Sequence, residues 1–275
     1  MKFQVIAFDM DGTLLNSKKE LSVKSINAIE KLKKQGCSII LNSDRRLSGL
    51  IDYAEKLKLG TNDYLICRNG LYIYNGDRQL ISKQGFLKVS DIKSISDYSR
   101  NGRISFFTEK IDYSCSFSKT RSLRKRIKTI LNMRIRRQEL LSPENRKKSI
   151  AQDELKLLCK TEIEKARLDC KDVKKLSEKY SVYRVADYPK MSDVFTKQVN
   201  KYLALVQLCE KGFIPSMDDV LYFGDDTNDM DCFKNLKYCI AMGNARKEIK
   251  MLAWKITDDC DNDGISKAIS LLEKQ

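Results

Sequence analysis

VIAFDMDGTLLNS, residues 5–17, poses the question that decides the fold. Four apolar residues, Val5 to Phe8, run directly into Asp9 and Asp11, followed by Gly12 and Thr13. A short apolar run bounded by a turn signal reads as a buried strand. Asp11-Gly12 is an ordinary turn pair, but a turn leaves Asp9 unexplained. An ionised carboxylate beside Phe8 at the end of a buried strand needs a cation or a metal as partner. The strand end therefore reads as a functional site.

Outward from this strand the chain alternates. Residues 22–36, SVKSINAIEKLKKQG, carry Val23, Ile26, Ile29 and Leu32 at helical spacing, with Gly36 as a stop. CSIILNS (37–43) reads as a strand, LSGLIDYAEKLKL (47–59) as a helix and YLICRNG (64–70) as a third strand. From residue 200 the alternation resumes through DVLYFGD and YCIAMG, with helices between and after them. Such alternation predicts an α/β fold: a Rossmann-like parallel sheet with helices on both faces. Its ligands bind beyond the carboxyl ends of the strands.

The middle of the chain differs. RISFFTEK (103–110) and IDYSCSFS (111–118) read as an antiparallel pair, followed by a basic helical stretch, KTRSLRKRIKTILNM (119–133), and two further helix-strand units. Residues 81–190 hold 28 Lys+Arg against 14 Asp+Glu, an excess of +14 in a chain whose total is +15. This shift marks an inserted α+β domain at 83–188, with residues 1–82 and 189–275 forming one core. The basic run over 119–137 reads first as a solvated helix face. Without a recognised motif or interleaved aromatics, nucleic acid is a disfavoured partner.

Composition excludes several chemistries. The chain of 275 residues has no histidine, which removes Ser-His-Asp triads and histidine-bound zinc together. Nine cysteines lie scattered without a C-x-x-C pair, as reduced thiols would in a cytoplasmic protein. No apolar run is long enough to span a bilayer, and the run before Asp9 is too short for a signal peptide.

What remains is a set of polar clusters at or near strand ends: Asp9 and Asp11, Ser43 in LNSDRR, and Asp225 to Asp229 in GDDTND. Lys201, in QVNKYLAL, opens a helix instead, and Lys197 is its rival. In a parallel sheet these converge on one edge. Two acids on one strand, an acid cluster on another, a hydroxyl and a lysine suit phosphoryl transfer. Hard oxygen ligands hold Mg²⁺, a lysine and a hydroxyl cradle phosphate oxygens, one carboxylate attacks phosphorus and another moves a proton.

DMDGT after an apolar strand, with GDDTND and AMGNA far downstream, resembles the haloacid dehalogenase-like phosphatases, more closely the Cof-type group with a large inserted cap. The resemblance covers about residues 1–80 and 190–275. It implies that Asp9 is the nucleophile that becomes an aspartyl phosphate and Asp11 the general acid and base. Asp9, Asp11 (through its backbone carbonyl), Asp225 and Asp229 would serve the magnesium. Ser43, Asp44, Arg45, Asn69, Lys201 and Asn228 would line the phosphate site, and proximity would split the proton affinities of Asp9 and Asp11. Asp44 and Tyr202 depart from the pattern, standing where the family usually has glycine. The expected enzyme is a cytoplasmic Mg²⁺-dependent phosphatase of small phosphorylated metabolites, a monomer or weak dimer, with the cap setting specificity. A phosphosugar mutase, or a nucleic-acid-binding protein on an inactive core, are the alternatives.

Overall fold

The computed structural model describes residues 3–109, 112–117, 127–128, 162–185 and 188–273. From the N-terminus, β1 (Val5–Phe8) is followed by α1 (Val23–Lys34), β2 (Ser38–Asn42), α2 (Ile51–Lys56), β3 (Tyr64–Cys67), β4 (Tyr72–Asn75) and β5 (Leu80–Lys83). Next come α3 (Val89–Ser96), β6 (Arg103–Thr108), β7 (Asp112–Phe117), β8 (Ile127–Lys128), β9 (Ile163–Asp169), α4 (Val173–Lys179), β10 (Tyr180–Val185) and β11 (Tyr188–Thr196). The last third holds α5 (Lys201–Glu210), β12 (Val220–Gly224), α6 (Met230–Asn235), β13 (Tyr238–Ala241), α7 (Lys247–Leu252), β14 (Lys255–Ile256) and α8 (Gly264–Leu272).

The chain divides into two compact units, Met1–Gln84 with Val199–Gln275, and Gly85–Gln198. In the first, an eight-stranded sheet runs β14-β13-β12-β1-β2-β3-β4-β5. The six strands from β14 to β3 are parallel, while β4 and β5 return antiparallel. The expected parallel sheet is present, and a β4–β5 hairpin extends it at one edge. Every residue of β1, β3, β12 and β13 is buried, as unbroken apolar runs require when both faces are covered. β1 lies between β2 and β12, so the strand order reverses there. Phe8 pairs with Leu41 on one side and Phe223 on the other, which aligns the three strand ends at one edge.

Helix α1 shows why the spacing argument works and where it stops. Ser22 caps it by accepting from the Ser25 N–H, and Ile29 and Leu32 are buried. Val23, counted in the same stripe, is the first residue of the helix and is exposed.

The second unit is a six-stranded sheet, β10-β11-β9-β6-β7-β8, antiparallel throughout. Ile92 and Ile95 of α3 and Leu176 of α4 pack on Ile104, Phe106, Ala166, Leu168 and Val194, leaving the helices on one face. Its return to the core lies at Val199, beyond the expected residue 189, because β11 pairs with β9 and β10 and belongs to this sheet. Of the basic stretch 119–137 only Ile127–Lys128 lies within the described residues. There the expected helix is replaced by a strand paired with Ser116 and Phe117. Of the two expected helix-strand units, α4 with β10 is one; β9 is the strand of the other, whose helix would lie outside the described residues, and β11 follows as an added strand.

Candidate active site

The site grows from the end of β1. The Asp9 N–H extends the β1 ladder to the Phe223 carbonyl at 2.9 Å, which fixes where the buried carboxylate points. Lys201, the first residue of α5, meets it: Nζ lies 2.5 Å from Asp9 Oδ1 and 2.6 Å from Asp229 Oδ1. Asn200 caps that helix by accepting from the Leu203 N–H at 2.7 Å, and Asn42 of β2 donates to the Lys201 carbonyl at 3.1 Å. The lysine is fully buried, and although burial opposes its charge, Asp229 and Asp9 hold its pKa above the ordinary value. The rival Lys197 is exposed.

Asp229 organises the loop after β12. Its Oδ1 accepts from Lys201 and from the Tyr222 hydroxyl at 2.6 Å, and its Oδ2 accepts from the N–H groups of Asp225 and Asp226 at 2.9 and 3.0 Å. Four donors fill the roughly four acceptor positions of a carboxylate. Asp225 is held differently, by the Thr13 hydroxyl at 2.7 Å from Oδ1. Gly12 allows the approach: at φ +85°, a Cβ there would stand 2.5 Å from Asp225 Oδ2. Asn244 ties the two loops, donating to the Gly12 carbonyl at 2.7 Å. Asp226 caps the short 3₁₀ turn Thr227–Asp229 through the Thr227 N–H and pairs with Arg246.

Oxygens of Asp9, Asp225 and Asp229 lie within 4.8 Å of one another. Burial pushes Asp9 up to about 7, opposed by Lys201 and reinforced by Asp229. Burial, then the charges of Asp9 and Asp229, push Asp225 up to about 9. More negative charge is gathered here than one ammonium neutralises. Hard oxygen donors in that condition fit a divalent hard cation. Asp9 and Asp225 have acceptor positions for it; those of Asp229 are taken by Lys201, Tyr222 and two loop N–H groups.

Asp11 is separate from this cluster. Burial raises its pKa, but Arg45 and Lys19 outweigh that and bring it to about 2. The two neighbouring acids are thus shifted in opposite directions, by burial at Asp9 and by Arg45 and Lys19 at Asp11, and not chiefly by the expected effect of their proximity. Arg45, expected on the phosphate, instead grips Asp11 through Nε (2.8 Å) and Nη2 (2.7 Å). Ser43 is buried at the end of β2, its Oγ accepting from the Arg45 N–H at 3.2 Å. Asn69 takes the left-handed conformation (φ 55°), donates its N–H to the Ser43 carbonyl at 2.9 Å and accepts from the Asn228 side chain at 3.1 Å. Asp44 is half-buried, its carbonyl accepting from Arg68 at 3.3 Å.

The structure therefore gathers Asp9, Lys201, Asp225 and Asp229, joins Asn69 to Asn228 and places Ser43 beside Asn69. The sequence reading assigned no role to Thr13, Asn244, Tyr222, Lys19 or Tyr53. Thr13 and Asn244 lie inside the quoted motifs DMDGT and AMGNA, and Tyr222 is a hydroxyl within an apolar strand, so each carried a signal.

Carboxylates and a buried lysine at the switch point of a parallel sheet are a donor set that suits phosphoryl transfer. The sequence profile of the haloacid dehalogenase-like hydrolases matches residues 6–269. The chain belongs to that family, among its Cof-type phosphatases. It is 27% identical over 97% of its length to the 5-amino-6-(5-phospho-D-ribitylamino)uracil phosphatase YcsE of Bacillus subtilis, covering 94% of that protein. It is 24% identical to the phosphoglycolate phosphatase of Archaeoglobus fulgidus, over 98% of this chain and 97% of that one. Among solved structures, the Bacteroides thetaiotaomicron phosphatase BT1666 shares the fold with a TM-score of 0.74 at 20% identity, over 98% of this chain and 95% of that one.

Proposed function

We propose that the chain is a Mg²⁺-dependent phosphatase of small phosphomonoesters, sugar phosphates or nucleotide-like phosphates, working through an aspartyl phosphate on Asp9. The observation that carries this is the Asp9 carboxylate, buried at the end of β1, bonded to Lys201 and clustered with Asp225 and Asp229. In the first half-reaction an Asp9 oxygen forms a bond to phosphorus as the bond to the ester oxygen breaks. That leaving oxygen takes a proton from Asp11 and departs as the alcohol. In the second, Asp11 takes a proton from water, whose oxygen attacks phosphorus and releases phosphate, restoring Asp9. Because Asp11 is ionised in the free chain, the proton for the first half enters with the substrate or from solvent.

Lys201 orients Asp9 and offsets phosphate charge, and Ser43, Asn69 and Asn228 offer polar groups around the phosphoryl oxygens. Asp9 and Asp225 would hold the divalent ion, which supplies charge neutralisation for those oxygens. YcsE acts on a phosphorylated ribityl-aminouracil, so nucleotide-like phosphomonoesters head the substrate panel. Phosphate release from a panel of phosphorylated metabolites with Mg²⁺ tests the reading. Isomerised sugar phosphate in place of free phosphate would point to a mutase, and no turnover of any kind would sink both.

A further inference from the structure

Asp11 stands in a closed ring of contacts, one of them through a backbone carbonyl, that the proposed reaction does not by itself require. Arg45 binds both its oxygens, Nε to Oδ2 at 2.8 Å and Nη2 to Oδ1 at 2.7 Å. The remaining arm of the guanidinium, Nη1, points away, to the Gly49 carbonyl at 3.3 Å and the Tyr53 hydroxyl at 3.4 Å. The guanidinium also lies over the Tyr53 ring, 5.3 Å from its centroid. Tyr53 in turn donates to the Lys19 carbonyl at 2.9 Å, and the Lys19 ammonium returns to Asp11 Oδ1 at 2.8 Å. The four residues come from the loop after β1, the loop after β2 and helix α2. The Asp11 side chain is 39% exposed and that of Arg45 24%, so the acid is the more accessible of the two. A planar fork held on three sides fixes its partner in direction as well as distance.

From this geometry, and resting on the phosphatase reading above, we infer that Arg45 is a positioning residue that sets where the Asp11 carboxyl stands, braced by Tyr53 and Lys19, and is not a phosphate ligand. Its effect then passes through Asp11 and tracks the need for a general acid. An alkyl phosphomonoester needs a proton on its leaving oxygen; p-nitrophenyl phosphate releases its phenolate unaided. The measured quantity is kcat/KM, which covers steps up to loss of the leaving group.

The test uses the full chain with Mg²⁺ and both esters. Because positioned acids contribute about 10²–10⁴-fold, Arg45→Lys, which keeps charge but loses the fork, should lower kcat/KM on the alkyl ester about a hundredfold. The loss on the aryl ester should be at least about tenfold smaller. In an Asp11→Asn background the same substitution should cost less than about twofold on the alkyl ester, the non-additivity expected of residues acting as one unit. Tyr53→Phe, a milder change, should show the same selectivity at smaller size, and thermal melts separate it from misfolding. Equal losses on both esters, or additive losses with Asp11→Asn, would make Arg45 a phosphate ligand and overturn the inference. A lowered melting temperature without ester selectivity would reduce it to a loop brace, which also overturns it. Wild-type inactivity on both esters would instead remove the phosphatase reading, and this assignment with it.

Discussion

The Thr13 hydroxyl, 2.7 Å from Asp225 Oδ1, acts on a carboxylate that burial and two neighbouring charges push towards its neutral form. Removing the donor while keeping the volume should loosen Asp225 and lower its charge. Thr13→Val is expected to raise the Mg²⁺ concentration for half-maximal activity by about tenfold, the low end for groups that support a metal ligand. A magnesium titration of initial rate reads this directly, and an unchanged midpoint would detach Thr13 from the metal. Asp9→Asn, nearly isosteric, should abolish turnover with the circular dichroism unchanged, because an amide is a poor nucleophile. Residual rate near wild type would end the covalent scheme. The acids were legible in the sequence because charge at the end of an apolar strand demands a partner. The position of Arg45 was not. It depends on Tyr53 and Lys19, whose meeting is set by a loop path that no periodicity encodes.

Helix α5 delivers Lys201 only if its first turn sits correctly, and that turn rests on Gly70. At φ +103° this glycine follows Asn69, and a Cβ there would lie 2.7 Å from the Asn200 carbonyl and 2.9 Å from Ala204 Cβ. Gly70→Ala therefore combines backbone strain with a push on the residue before Lys201. We expect a loss of about 1–3 kcal/mol, the usual cost of a strained backbone, and a fall in kcat beyond it. Gly36 is the control: its φ is +86°, but a Cβ there would meet nothing within 4 Å. Gly36→Ala should lower stability while leaving kcat intact. Chemical denaturation and rate assays on the same samples separate the two, and equal behaviour would refute the argument that Gly70 seats the helix. The parallel strands were readable because burial on both faces leaves unbroken apolar runs. The β4–β5 hairpin was not read, although Asn75-Gly76 is a turn signal, because the edge strand β5 is exposed or half-buried throughout and lacks an apolar pattern. The basic run misled where Ile127–Lys128 pairs in the sheet, since helical charge spacing says nothing of strand partners.

Two units with separate cores need not share one unfolding transition, and the chain carries a means of telling them apart. Its single tryptophan, Trp254, packs on Tyr238 at 5.1 Å within the unit that bears the active site, so its fluorescence follows that unit alone. Circular dichroism follows both. In the Gly85–Gln198 unit, Asp193 is a buried anion joining β11 to β9, with Lys165 at 2.8 Å and Arg167 at 2.5 Å. Burial raises its pKa, but Lys165 and Arg167 outweigh that and bring it from 3.8 to about 2. A carboxyl lowered in the folded state stabilises fully above its unfolded value and loses that contribution as pH falls through the folded one. The contribution is thus whole above pH 4 and drains between about 4 and 2. The excess positive charge of this part of the chain grows as other carboxylates protonate, and self-repulsion adds to the loss. Acid titration should accordingly show a dichroism change in this window that precedes any change in Trp254 fluorescence. Asp193→Asn removes the buried anion that bonds Lys165 and Arg167, at a cost of about 3–5 kcal/mol. At neutral pH it should move the dichroism transition to lower denaturant and leave the fluorescence midpoint where it was. If both midpoints shift together in Asp193→Asn, the units unfold as one and the separation of their cores has no thermodynamic consequence.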